Sequence, residues 1–528
     1  MIAIIQDEAL KAFEQDSREL LMAFFPGEPF CFTENEEALF TLWAEKTGFS
    51  IWPGTANAKE KVAGAQQRET GMQPDAHAAK HQAGNQTGLS ESLPEPLCEP
   101  LSLNGERRHD KSEAKRALYR LLCRLTGRTL PWGTLTGIRP VKLPEQLLAQ
   151  GKTDAETLAY LQEFYLISRE KSELILDIAH REQRVLSRID CRRGFSLYVG
   201  IPFCPTTCMY CSFTSYPIAK WSGQVEHYLA CLERELAQLR DVQQAGFLEG
   251  KMLQTVYVGG GTPTSLTAEQ LEQLLALIEK YMDLSALAEF TVESGRPDSI
   301  TPEKLDVLRR HGVDRISINP QTMNQKTLDL IGRRHTVKQV IEAFRMAREA
   351  GFQNINMDLI MGLPRETVED VRHTLSEIET LGPDSLTVHA LAVKRAARLN
   401  TEGNAWSNLP RAGMQEAMEM TALGAEVAAE MGLFPYYLYR QKNMAGNQEN
   451  TGYALPGKEN LYNILMMEEL HTVVGLGAGS STKALVQAGE DGTYRVERFE
   501  NIKNIAEYLP RIGELLEKKE NFFAALRQ

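Results

Sequence analysis

Apolar and polar positions change rhythm along this chain. From residue 195 to about 392, short continuous apolar runs alternate with stretches whose apolar residues recur three and four apart. The runs FSLYVGI, QTVYVG, EFTVE, DRISIN, FQNINMDLI and DSLTVHAL read as strands buried on both faces. Between them, residues 224–240 place Val225, Tyr228, Leu229, Leu232, Leu236 and Leu239 on one helical face. Thr267 with Gln270 predicts a capping box. Thr301 followed by Pro302 predicts a helix start, and Thr367 opens another helix after a Gly-Leu-Pro turn. Six β/α units result, and right-handed crossovers predict a parallel sheet closed into a barrel or most of one.

Outside that region the pattern differs. Residues 112–190 carry amphipathic helical periodicity, with the first helix closed by Gly127. The spacing predicts a mostly helical N-terminal domain over residues 1–190. Within it, about 54–110 is rich in Ala, Gly, Gln, Glu and Pro and nearly free of aromatic and β-branched residues. Such a stretch buries too little apolar surface to offset its ordering entropy, so a flexible insertion is expected. A barrel over 195–395 follows, then a C-terminal α/β domain over 396–528 expected to cover the barrel mouth. The fold class is therefore α/β.

Charge and composition narrow the function. The chain has 528 residues and a formal net charge of −12. That balance argues against a general nucleic-acid or anionic-membrane binder. No apolar run approaches a membrane span, and the start lacks a secretory signal layout, so a cytoplasmic protein is expected. Eight cysteines in this length are no disulfide framework.

Three of those cysteines are clustered. Cys204, Cys208 and Cys211 form C-x-x-x-C-x-x-C directly after the first barrel strand. Three thiolates supply three protein ligands to one metal centre and leave a position open. A zinc loop completed by a distant residue is the other reading of this spacing; His227, the nearest downstream histidine, lies on a helical pattern. Further polar or Gly-rich anomalies sit at the predicted C-terminal strand ends, where β/α folds place their sites: Gly259-Gly260-Gly261-Thr262-Pro263, Glu293, Asn319-Pro320-Gln321, Asn356 with Asp358, and His389. The glycines let a ligand approach backbone N–H groups. The late run GLGAGSST has Ser480 where a dinucleotide fingerprint has its third glycine, so it does not predict nucleotide binding.

Taken together, YVGIPFCPTTCMYC, VYVGGGTPTSL, ISINPQTM and NMDLIMGLP resemble the radical S-adenosylmethionine (radical SAM) superfamily. Within it they are similar to the oxygen-independent coproporphyrinogen III oxidases, or coproporphyrinogen dehydrogenases. TGIRPVKL and YRQKNMAGNQENTGYALPGKENLYNILMMEE look like the HemZ-type branch. The resemblance implies a partial (β/α)6 barrel and a 4Fe-4S cluster held by Cys204, Cys208 and Cys211, with S-adenosylmethionine on the fourth iron. It implies cofactor contacts from Tyr198, Tyr210, Gly260, Gly261, Thr262, Glu293, Gln321, Arg333, Asp358 and Ala392. The implied reaction uses a 5′-deoxyadenosyl radical for oxidative decarboxylation of coproporphyrinogen III to protoporphyrinogen IX in haem biosynthesis. Implied partners are a porphyrinogen or haem-type tetrapyrrole and a reduced flavodoxin- or ferredoxin-type electron donor. The substrate's propionates call for cations, with Lys394, Arg395, Arg398, Arg440 and Lys442 as candidates.

Two positions depart from the family's best-studied members. Gly200 stands where they have His, and Phe213 where they have a further Cys; the shape CSF is closer to the haem-chaperone relatives. A haem-binding chaperone and a haem-modifying radical methyltransferase are therefore the alternative readings.

Overall fold

The computed structural model describes residues 2–25, 28–31, 40–45, 47–53, 97–137, 139–211, 213, 215–392, 412–441, 448–487 and 494–527. The chain divides into two compact units, Met1–Gly137 with Gln150–Glu173, and Ile138–Ala149 with Leu174–Gln528.

The first unit carries a five-stranded sheet in the order β2-β1-β3-β4-β5. Its strands are β1 (Ile2–Gln6), β2 (Phe30–Cys31), β3 (Phe40–Glu45), β4 (Gly48–Pro53) and β5 (Leu97–Pro100). Alternation explains β3 and β4, since Leu42, Ala44, Phe49 and Ile51 are the buried positions. The helix Arg107–Thr126 buries Ala114, Ala117, Leu118, Leu121, Leu122 and Leu125, a stripe at helical spacing. It stops at Gly127, whose left-handed backbone (φ +65°) lets its N–H bond Cys123 O at 2.9 Å. This unit thus combines helices with a sheet that helical periodicity did not predict. Leu97–Pro100, within the bounds of the expected insertion, is a strand that pairs with Gly48–Ile51. The rest of the expected insertion, 54–96, lies outside the described residues.

In the second unit the expected strands all form: β6 (Gly194–Ile201), then after the short pair β7 (Phe203–Cys204) and β8 (Tyr216–Pro217), β9 (Met252–Gly260), β10 (Glu289–Glu293), β11 (Arg315–Ser317), β12 (Ile355–Met361) and β13 (Ser385–Ala390). β6, β9, β10, β11, β12 and β13 pair in that order, all parallel. Helices cover them, among them Val225–Ala245, Ala268–Tyr281, Pro302–Arg310, Val337–Glu349 and Val368–Leu381. Capping boxes at Thr267/Gln270, Thr336/Gln339 and Thr367/Asp370 fix where three of these helices begin. This is a partial (β/α)6 barrel.

Residues after 430 do not make a sheet of their own, as a separate domain over 396–528 would. β14 (Phe434–Tyr439) and β15 (Asn450–Ala454) add antiparallel to β13, while β16 (Thr472–Leu476) adds parallel to β6 and carries β17 (Ser481–Gln487) and β18 (Tyr494–Glu500). The parallel run leaves β6 and β13 with unpaired edges, and these strands cover both. The result is one eleven-stranded sheet. GLGAGSST is the end of β16 and its turn into β17: Gly475 has no room for a Cβ beside Ser481, and Gly477 N bonds Glu235.

Candidate functional site

The parallel strands release their C-terminal ends at one rim, and the polar residues collect there. β6 runs into the cysteine loop. Gly261 N donates to Ile201 O at 2.8 Å and Thr262 N to Phe203 O at 2.7 Å, so the glycine turn is laced onto the start of that loop. A Cβ on Gly261 would lie 2.5 Å from Phe203 O, and one on Gly259 3.0 Å from Glu293 Cδ. Only glycine allows this approach. Thr262 Oγ1 donates to Cys204 Sγ at 3.5 Å.

Three thiolates in this one loop supply three protein ligands, which suits a polynuclear cluster in which each takes its own iron. Burial pushes the Cys204 thiol up to about 11 and raises Cys211 as well, so cluster binding displaces protons.

The neighbouring strand ends complete the rim. Glu293, the last residue of β10, accepts the Tyr257 hydroxyl; burial and the nearby Asp358 push its carboxyl up to about 7. Asp358 is equally enclosed, yet its carboxyl is held low, because His389, Asn356 and Thr387 outweigh the burial that would raise it. Asn356 Nδ2 donates to Asp358 Oδ1 at 2.7 Å, and His389 Nε2 stands 3.9 Å from Oδ2. Gln321 adopts φ +69°, a left-handed conformation strained for a residue with a Cβ. Its backbone bridges β12 through Asp358 O and Ile360 N, both at 3.0 Å, and this holds the strain. Its Oε1 is buried without a partner.

Arg333 is buried and donates to the Tyr210 hydroxyl at 3.0 Å, Gly295 O at 2.8 Å and Asn319 O at 2.6 Å. Tyr198 lies on β6 beside Tyr257, rings stacked at 6.1 Å, and Tyr257 stacks on Tyr462 at 4.6 Å. Tyr462 lies in the first turn of the helix Leu461–Met467, whose first N–H groups bond Glu289 at the start of β10. The stack thus floors the site from the opposite strand ends. Ala392 follows β13 at the rim.

Sequence reasoning missed four residues here. Tyr257 and Tyr462 carried no signal beyond aromaticity. Arg296 follows Glu293 in ESGRPD; it is buried, pairs with Asp298 through two bonds and reaches Thr206 in the cysteine loop. His335 is 0% exposed with neither ring nitrogen partnered; burial, Arg333 and Arg296 push its pKa down to about 3, so it is neutral. Of the candidate substrate cations, Arg440 is buried, and that burial brings its pKa down to about 10 against the pull of Glu449. Lys394, Arg395, Arg398 and Lys442 lie outside the described residues.

Gln321 Oε1, Asn319 Oδ1, Ser294 Oγ, Ser317 Oγ and Arg333 Nε are all buried at the rim without partners among the described residues. Buried polar atoms left open cost about 1–3 kcal/mol each, so this many at one rim point to a polar ligand. With the glycine approach and ionised Asp358, they fit an amino acid joined to a ribose beside an iron–sulfur cluster.

The family model "Radical SAM superfamily" matches residues 198–378. The oxygen-independent coproporphyrinogen-III oxidase-like protein HemZ of Bacillus subtilis is 42% identical over 396 residues, covering 75% of this chain and 77% of that protein. The heme chaperone HemW of the same organism is 40% identical over 200 residues, 38% of this chain and 51% of the chaperone. Among solved structures, coproporphyrinogen III oxidase (HemN) from Escherichia coli aligns over 64% of this chain and 72% of its own, with 24% identity and a TM-score of 0.49.

Proposed function

The chain belongs to the radical SAM superfamily, in the family of HemZ-like relatives of the oxygen-independent coproporphyrinogen III oxidases, and from that premise we propose that it converts coproporphyrinogen III to protoporphyrinogen IX. It is a radical SAM enzyme, and its cofactors are a 4Fe-4S cluster and S-adenosylmethionine. Together these supply a radical able to take hydrogen from an unactivated carbon. The rest is positioning and exclusion of water. Cys204, Cys208 and Cys211 hold the cluster. Gly260, Gly261 and Thr262 offer backbone to the methionine end. Glu293 offers acceptor oxygens to an ammonium, and Asp358 accepts from hydroxyls. Gln321 and Arg333 supply the remaining polar contacts, Tyr198 and Tyr210 line the walls, and Ala392 contributes backbone. For each of two propionates, hydrogen leaves the β-carbon, one further electron passes to an external acceptor, and carbon dioxide departs to leave a vinyl group.

The observation that supports this reading is the rim of unpartnered buried atoms beside the three-cysteine loop. The test is anaerobic reconstitution with reductant, S-adenosylmethionine and coproporphyrinogen III. Carbon dioxide and a divinyl product are expected. Release of 5′-deoxyadenosine with neither product would sink the decarboxylase reading. Cys208→Ala should lose the brown chromophore, while Cys231→Ala, whose thiol is buried in the core against Leu509 O, keeps it.

A haem chaperone is the second reading. It is favoured by Phe213, 71% exposed where the oxidase pattern has a thiol, and by similarity to the HemW chaperone. Stable haem uptake without turnover of porphyrinogen would select it.

A further inference from the structure

Two guanidinium groups are buried beneath the cysteine loop, and among the described residues one carboxylate pairs with them. Arg296, 3% exposed, turns Nε and Nη2 to the two oxygens of Asp298 at 3.0 and 2.8 Å. This fork fixes the plane of the guanidinium. The remaining nitrogen, Nη1, then faces the cysteine loop. It donates to Thr206 Oγ1 at 3.0 Å and Thr206 O at 3.2 Å, and stands 3.9 Å from Cys208 Sγ. Among the described residues, Arg333 bonds only neutral oxygens, those of Tyr210, Gly295 and Asn319. Asp298 therefore offsets one of two buried positive charges. A buried cation without a counter-charge is costly, and an anionic cluster in the thiol loop would offset it.

We propose that Arg296 is a positioning residue that sets the reduction potential of the iron–sulfur cluster, holding the loop through Thr206 and presenting a positive charge and an N–H to the Cys208 sulfur. The proposal rests on the cluster reading above. Hydrogen bonds to cluster sulfurs, nearby charge and burial govern such potentials. Reduction adds negative charge, so a cation at the sulfur favours the reduced form and raises the potential. Asp298 weakens that effect, and its carboxylate and the guanidinium act in opposite directions on the cluster.

The experiment is a redox titration of the anaerobically reconstituted protein, followed by the electron paramagnetic resonance signal of the reduced cluster, with iron content measured alongside. Arg296→Gln should disfavour reduction about tenfold, about 59 mV for one electron. Asp298→Asn should shift the potential the other way, by about threefold in the equilibrium constant. Arg296→Lys, which keeps the charge but not the fork, should recover more than half of the loss seen with Gln. A merely structural role predicts no such opposition of sign. Shifts of Arg296→Gln and Asp298→Asn in the same direction, or a change under threefold for Arg296→Gln, would overturn the proposal. Should Arg296→Gln fail to take up iron, Asp298→Asn decides alone: a potential unmoved or lowered overturns it, a raised one supports it. Full iron content in Cys208→Ala would instead defeat the cluster reading itself.

Discussion

Arg333 and Tyr210 join the cysteine loop to the fourth β/α unit through one hydrogen bond of 3.0 Å. The same guanidinium holds the carbonyls of Gly295 and Asn319, so three segments that carry site residues meet on one side chain. Arg333→Gln strands two buried carbonyls and should cost about 3 kcal/mol or more in denaturant unfolding. Tyr210→Phe removes one bond and leaves the carbonyls held, so about 1 kcal/mol is expected. Equal losses in the two variants would mean that the carbonyl bonds contribute nothing.

Gly261 packs its backbone against the start of the cysteine loop, with no space for a Cβ beside Phe203 O. Gly261→Ala must push the two segments apart. A stability loss of about 1–3 kcal/mol is expected, as for other overpacked sites. Because Gly261 N also bonds Ile201 O, the same shift opens the rim, and binding of S-adenosylmethionine measured by calorimetry should weaken at least tenfold. Unchanged affinity in a folded variant would remove the glycine turn from the site.

Glu235 and Lys519 form an ion pair at 2.9 Å with almost no exposure on either side. Glu235 also accepts from Gly477 N, Asn501 Nδ2 and Tyr508 Oη, and Lys519 donates to Gly475 O. The pair fastens the last helix to β16 and to the helix after the cysteine loop. Lys519→Met leaves a buried carboxylate unpaired and should cost about 3–5 kcal/mol in chemical denaturation. Replacing both residues by apolar ones of similar size should cost less than the single change; a larger loss would assign the pair a net stabilising role.

Much of the barrel was legible because its signals are local. Strands buried on both faces read as unbroken apolar runs, and Thr267, Thr301 and Thr367 mark helix starts within a few residues. The cysteine loop and GGGTP were legible for the same reason. Lys519, by contrast, reads as one more charge in a polar helix until it is brought to Glu235, 284 residues earlier. Arg296 and His335 were missed likewise, since their meaning lies in burial and in what they face. The edge-covering strands β14 to β18 read as a separate domain because sheet order is a long-range property. Nothing in their own sequence says which edge they extend.

Glu145, Glu182 and Glu468 bring three carboxyl groups together, and Glu182 is wholly buried among them. Burial first, and then the neighbouring carboxylates, push Glu182 well above the usual carboxyl range and Glu468 up to about 8. Unfolded carboxyls titrate near 4.3. A raised folded value means that the native state holds its protons more tightly than the unfolded chain. The stability from these groups is thus fully present below about pH 4.3 and is lost as pH rises through the folded values, toward about 8 for Glu468. Glu182→Gln removes one titrating member while keeping its shape. At pH 8.5 the variant should therefore melt at least about 2 °C above the parent, with a smaller gain at pH 5. Thermal scans with a chelator present, so that no cation shares the carboxylates, check this. An equal shift at both pH values, or a lower melting point at pH 8.5, would show that the cluster does not titrate in this window.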